Sequence, residues 1–188
     1  MKSCSPTIFC CIKNSVVIDP TSGFGSLLIN IGKSVANVKS YFKAAGLEEK
    51  VMQLEKSSAT VIEAAEALGC REKQIAKTLS FLIDNEPVLI VMAGDAKVDN
   101  KKYKEAFSQK AKMIPAERVE EYTGHTPGGV CPFAVKPGVK VYLDIFLKRF
   151  DGVFPAAGSS CSSVHLSLAE LEKHSNSAGW VDVCKDWS

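Results

Sequence analysis

The sequence predicts a mixed α/β protein of the α+β type, with helices packed around a mixed sheet. Three observations lead to this class. Segments 78–83 and 87–93 carry strand-like apolar patterning and are joined by Asp84-Asn85-Glu86, which reads as a hairpin. Further short strand candidates at 51–54, 110–114, 139–143, 150–154, 163–166 and 180–184 are interleaved with segments of helical period. Strands outnumber clean βαβ units, so a mixed sheet fits better than a doubly wound parallel one.

Taken in order, residues 1–33 are expected to form a poorly ordered extension and residues 34–188 the organised domain. The apolar patch Ile8-Phe9-Cys10-Cys11-Ile12 is too short for the core of a secretory signal, and no small-residue cleavage site follows it. Ser34 is placed to cap a helix over 34–45, with Val35, Val38, Phe42 and Ala45 on one face and Gly46 as its stop. Thr60-Val61-Ile62-Glu63 has capping-box spacing and opens a second helix that Gly69 ends.

Residues 71–76 read as one or two further helical turns, which puts Lys77 at a helix-to-strand junction. The run 87–93 is almost unbroken in its apolar character, as expected of a strand buried on both faces. Asp99 caps a helix reaching Phe107, Pro115 suits the first turn of a helix closed by Gly124, and Ser167-Leu168-Ala169-Glu170 is a second capping box.

Composition narrows the function by exclusion. At 188 residues, 46% hydrophobic and 23% charged, the chain can bury one ordinary core. A formal charge of +2 does not mark the whole molecule as a nucleic-acid binder, so any such role must come from a local patch. The segment 97–112 offers one: Lys97, Lys101, Lys102, Lys104, Lys110 and Lys112 face only Asp99 and Glu105. It reads either as a solvated face or as a landing strip for phosphates. Seven cysteines without a CxxC pair argue against a disulfide framework or a zinc site and for reduced thiols in the cytoplasm. No run approaches eighteen apolar residues, so no membrane span is expected.

The stretch Gly124-His125-Thr126-Pro127-Gly128-Gly129-Val130-Cys131-Pro132-Phe133 can be neither helix nor central strand. His125 and Cys131 invite a thiol-nucleophile reading, but no third orienting group is evident, and a cysteine before proline in a buried turn is more often a small packing residue. Gly128 and Gly129 could aim backbone N–H groups at a carbonyl or phosphate, or simply form a turn. Ala156-Ala157-Gly158-Ser159 carries the same ambiguity. Lys77 lies among Ile75, Leu79 and Phe81, where an ammonium would partner a carbonyl, carboxylate or phosphate strongly. His165 and His174 read as surface residues.

Together, Ile75-Ala76-Lys77-Thr78-Leu79, the 124–133 loop and Ala156-Ala157-Gly158-Ser159 resemble the three signature blocks of the YbaK/prolyl-tRNA editing domain family. The capped helix at 60–69 resembles that family's first one, and the likeness covers about 34–188. The resemblance implies a curved, mostly antiparallel sheet with surrounding helices. It also implies trans-editing, the hydrolysis of the ester joining a wrong amino acid to tRNA, of the Cys-tRNA(Pro) or Ala-tRNA(Pro) type.

Under the resemblance Lys77, Gly128 and Gly129 are the catalytic candidates. Thr78, His125, Cys131, Ala157, Gly158 and Ser159 are expected to line the substrate site, and Lys97, Lys101, Lys102 and Lys104 to meet tRNA. The partner is mischarged tRNA rather than DNA, with an aminoacyl-tRNA synthetase as a possible second. No metal or cofactor is expected, because an aminoacyl ester is already activated. The resemblance leaves open which amino acid is edited and whether water or the substrate itself attacks. The competing readings are a non-catalytic tRNA-binding accessory protein and a thiol hydrolase acting through Cys131.

Overall fold

The computed structural model describes residues 24–55 and 58–185, with backbone alone over 24–32. Its centre is a hairpin, β2 (Ile75–Ile83) and β3 (Glu86–Ala93), paired antiparallel from Ala76↔Ala93 to Ile83↔Glu86. Asp84 and Asn85 make the two-residue connection with φ of 51° and 66°. Positive φ at both turn positions matches the right-handed twist of the flanking strands, and Asp and Asn tolerate it better than most residues.

The hairpin is flanked on both sides in a six-stranded sheet of order β8-β6-β2-β3-β5-β9. Its other members are β5 (Lys140–Asp144), β6 (Gly152–Pro155), β8 (Leu166–Ser167) and β9 (Gly179–Val181). β3 pairs parallel with β5, β5 with β9, and β2 with β6, while β6 meets β8 antiparallel. Two small antiparallel pairs stand beside it: β1 (Val51–Gln53) with β7 (Ser162–Val164), and β4 (Lys97–Val98) with β10 (Cys184–Lys185). The sheet is mixed, as the fold class requires. Antiparallel pairings lead over the described ladders as a whole, and parallel ones lead within the large sheet.

Both faces of the hairpin are covered, so Val88 through Ala93 are all buried. Helix α3 (Asn100–Phe107) closes one face, with Tyr103 against Phe81 and Phe107 against Tyr142 at ring separations of 5.2 and 5.3 Å. Helix α1 (Phe24–Ala44) sends Val38 and Phe42 into the core, and the Phe42 ring meets Phe133 edge-on at 4.9 Å. Each such large apolar side chain contributes roughly 1.5–3 kcal/mol through burial.

Helix α2 (Val61–Leu68) starts at the expected Thr60 capping box and ends at Gly69 in the left-handed conformation. Helix α4 (Val119–Thr123) ends at Gly124, and α5 (Leu168–Ser175) begins at the Ser167 capping box. The buried Asp144 carboxylate ties sheet to C-terminal segment, accepting from the Phe146 and Val183 amides at 3.0 and 3.1 Å.

Four local expectations are corrected. Helix α1 begins at Phe24, so Ser34 lies inside it and caps nothing. The expected extension over 1–33 falls outside the described residues for positions 1–23. Strand β2 begins at Ile75, after a single 3-10 turn at Glu72–Gln74, so Lys77 lies within a strand rather than at a junction. Segment 110–114 forms only an isolated bridge, Met113 to Phe81, and the expected strand at 180–184 divides into β9 and β10. Cys70, Cys131 and Cys184 are free thiols, whereas Cys161 is disulfide-bonded, a correction to the expectation of reduced thiols.

Candidate functional site

Strand topology chains the three sequence blocks into one region. Parallel pairing of Ala76 with Pro155 sets the end of β6 beside Lys77, and the chain runs directly from there into Ala156-Ala157-Gly158-Ser159. Gly129 then lies on that second loop. A Cβ added to it would stand 2.6 Å from Ser159 Cα and 2.9 Å from the Gly158 carbonyl carbon, so only glycine allows the two backbones to meet.

The Gly-Gly pair is a tight turn. Pro127 occupies its second position and Gly128, with φ +81°, its third, while the Gly129 amide donates to Thr126 O at 3.0 Å. The Gly129 N–H is therefore already used, a correction to its expected part in binding a carbonyl. Gly128 is exposed, and its amide has no protein acceptor among the described residues. Of the two glycines, Gly128 keeps an unused amide and Gly129 makes the packing contact.

His125 and Cys131 lie beneath this turn rather than on a solvent-facing wall. Both are buried, at 1% and 0% exposure, which removes them as direct substrate contacts. His125 Nε2 is 2.8 Å from Phe133 O and its Nδ1 is 2.7 Å from Ser34 Oγ. A carbonyl only accepts, so Nε2 carries the proton and Nδ1 accepts from the Ser34 hydroxyl. Burial holds the imidazole below its usual value and therefore neutral. Burial likewise pushes the Cys131 thiol up to about 12, although the Phe133 and Gly158 backbones hydrogen-bond it. A buried thiol with so high a pKa is not a nucleophile at neutral pH.

The second loop is also closed on itself. Ala157, Gly158 and Ser159 are buried, and Ser159 Oγ is 2.9 Å from Ser162 Oγ while accepting from the Cys161 amide. Gly158 has φ +91°, and a Cβ there would lie 2.9 Å from the Ser34 carbonyl. These three residues are buried and form the surface on which Gly129 packs, so they are not on a solvent-facing wall as expected of substrate contacts.

Lys77 is half-buried, and its ammonium donates to Gly94 O at 3.0 Å and Ala96 O at 2.5 Å. Burial lowers its pKa, opposed by nearby Cys184 and Asp95 and reinforced by Lys97. Asp95 lies between the two acceptors, but its carboxylate is engaged by Arg149 in a two-pronged pair at 2.7 and 3.1 Å. Lys77 thus rests on neutral carbonyl dipoles, with no carboxylate at ion-pair distance among the described residues and one N–H to spare. Next to it, Thr78 Oγ1 is buried without a hydrogen-bond partner among the described residues.

Gly94, Asp95 and Arg149 were not singled out from sequence. A Cβ on Gly94 would fall 2.1 Å from Glu72 O, so glycine alone lets the strand end lie against that turn. Gly94 and Asp95 follow directly on β3, just past Met92, the strand partner of Lys77, and the glycine that ends the apolar run is the one local signal there. Arg149 had none.

The lysine strip divides. Lys97, Lys101 and Lys104 are exposed, as a nucleic-acid surface requires. Lys102 is not available, since its ammonium is held by Asp182 at 2.8 Å and Cys184 O at 3.0 Å. His165 is exposed as expected, but His174 is buried, with its backbone carbonyl bonded by Tyr41. A polar cleft of about 500 Å³ is lined by Arg71, Gln74, Arg149, Gly152 and His165 among others, and by no residue of either glycine loop. It touches the Lys77 cluster only through Arg149. Among the described residues no three His, Cys, Asp or Glu side chains converge as metal ligands, and no helix is long and apolar enough to cross a membrane.

Residues 55–174 match the family model of the aminoacyl-tRNA editing domain. The uncharacterized protein YwhH of Bacillus subtilis is 49% identical over 155 residues, covering 82% of this chain and 99% of its own length. A proline–tRNA ligase of Lactiplantibacillus plantarum is 27% identical over 66% of the chain, which spans only 22% of that ligase. Among solved structures, a candidate trans-editing enzyme for prolyl tRNA synthetase superposes with a TM-score of 0.73 at 27% identity. That likeness covers 81% of this chain and 97% of the other.

Proposed function

The chain belongs to the aminoacyl-tRNA editing domain family, and from that premise we propose that it is a trans-editing deacylase that hydrolyses the ester of a mischarged tRNA. The observation that carries this reading is the state of Lys77. Arg149 occupies Asp95, so the lysine keeps a positive charge held only by two carbonyls and partly shielded from water. Such an ammonium is preorganised for an anionic or developing anionic oxygen, either a phosphate of the terminal nucleotide or the carbonyl under attack.

Gly128 supplies the complementary donor. Its exposed amide, on a turn fixed from below by Gly129 and the 157–159 loop, is placed to meet the aminoacyl carbonyl as charge develops there. The scheme needs no protein nucleophile, in keeping with the burial of Cys131. The substrates in view are Cys-tRNA(Pro) and Ala-tRNA(Pro), the partner is tRNA with prolyl-tRNA synthetase upstream of it, and the setting is the cytoplasm. Editing has a physical motive, since a synthetase pocket separates similar amino acids by only about 1–3 kcal/mol.

The test is a deacylation panel of mischarged tRNAs run on the wild type and Lys77→Ala together. Release of amino acid from at least one tRNA by the wild type, lost in the variant, is expected. A panel left intact by the wild type rejects the proposal.

A further inference from the structure

We propose that Ser34 and His125 form a positioning pair that makes helix α1 part of the candidate site. This rests on the deacylase reading for its activity readout, though not for its structural one. The family model begins at residue 55, so α1 lies upstream of the segment that identifies the family. Yet Ser34 meets both glycine loops at once. Its hydroxyl donates to His125 Nδ1 across 2.7 Å, and its backbone lies against Gly158 so closely that a single methyl there would collide.

His125 passes this contact on. Its Nε2–H donates to Phe133 O at 2.8 Å, at the far end of the 124–133 loop, while its own amide donates to Thr123 Oγ1 at 3.2 Å. Cys131 Sγ lies 3.6 Å from the same Nε2 and is hydrogen-bonded by the Gly158 backbone. One imidazole thus pins both ends of the loop that carries Gly128 and Gly129. One serine joins that loop, and the 157–159 loop beneath it, to α1. Ser34, His125 and Cys131 are 2%, 1% and 0% exposed, so water does not substitute for any of these bonds.

In this arrangement the imidazole is neutral and in one tautomer, with the proton on Nε2. A protonated ring would place a proton on Nδ1, so the Ser34 hydroxyl would have to accept there and turn its own proton away from the ring. Among the described residues, the groups facing the ring are the Ser34 hydroxyl from α1 and, from its own loop, the titratable Cys131 thiol and the Phe133 carbonyl, and none of these is an anion that would compensate an imidazolium. Protonation therefore loosens the cradle without removing any group that touches substrate.

The experiment uses the full chain with Ser34→Ala, Ser34→Thr and His125→Asn, and has two arms. In the first, hydrogen exchange of the 126–133 and 157–159 amides is expected to speed up in Ser34→Ala and His125→Asn and to return toward wild type in Ser34→Thr. In the second, on the mischarged tRNA that the wild type cleaves best, Ser34→Ala is expected to lower kcat by about tenfold or more with KM nearly unchanged, because the acceptor remains bound while the carbonyl is misplaced. The acidic limb of the wild-type kcat profile is expected to vanish in His125→Asn. Unchanged exchange at both loops, or a kcat for Ser34→Ala within about twofold of wild type, overturns the proposal. A wild type that cleaves no tRNA overturns the deacylase reading instead, and the exchange arm still decides on the positioning pair.

Discussion

The ammonium of Lys77 and the carbonyl of Gly94 are 3.0 Å apart, Gly94 following directly on the strand whose Met92 pairs with Lys77. Gly94 holds that carbonyl in place because it alone lets the strand end press on Glu72. Lys77→Met is expected to keep the fold within about 1 kcal/mol, the net worth of an ordinary hydrogen bond, while lowering kcat/KM by at least about a hundredfold. Gly94→Ala is expected to lose stability and activity together. Thermal melts alongside deacylation rates separate the two cases.

The two glycines of the turn are expected to respond differently. Gly128→Ala meets nothing closer than Ser160 Cβ at 3.7 Å, so its cost is that of a left-handed backbone, about 1 kcal/mol. Gly129→Ala forces a methyl into the Ser159 backbone and is expected to cost clearly more. Urea denaturation of both variants checks the order, and a reversed order would remove Gly129 as the packing contact.

Stability is expected to fall as the pH drops below about 6.5. Burial lowers the pKa of His125, and burial with help from Lys173 lowers that of His174. Both remain neutral in the folded chain while the unfolded chain protonates near 6.5, so the unfolded state binds more protons and stability rises with pH through that window. The slope is at most about 1.4 kcal/mol per pH unit for each histidine, and His125→Asn should flatten its share. Glu170 acts in a separate range. Its bond from Lys50 holds it at about 2, so its contribution is present above its ordinary 4.5 and lost as the pH falls from there.

How much of this could be read beforehand depended on the range of the interaction. The hairpin, the Thr60 and Ser167 caps and the left-handed stops at Gly69 and Gly124 are local, and neighbouring residues announce them. The Lys77, Gly128 and Gly158 positions were legible only as a combined pattern. The need for glycine at 94 comes from Glu72, and the Arg149–Asp95 pair and the Ser34–His125 bond join residues 54 and 91 positions apart. Polarity misled at His125 and His174, because a buried histidine satisfied by distant partners has the same neighbours in sequence as an exposed one.

Exposed and committed lysines are expected to separate in binding. Lys101→Ala and Lys104→Ala together should weaken tRNA binding and reduce the salt dependence of log K by one to two phosphate contacts, at about 0.9 each. Lys102→Ala should leave that slope nearly unchanged, because its ammonium already serves Asp182 and Cys184 O. Titrations at several salt concentrations read both.

The core reaches well past the segment by which the family is identified. Val38 and Phe42 precede residue 55, Val183 and Cys184 follow residue 174, and all four are buried. The portable unit is therefore larger than its signature. A fragment excised at 55 and 174 for fusion or crystallography would expose the floor beneath Phe133 and lose the Val183 contact on Asp144. Grafting this domain onto another protein means carrying α1 and β10 along as cargo.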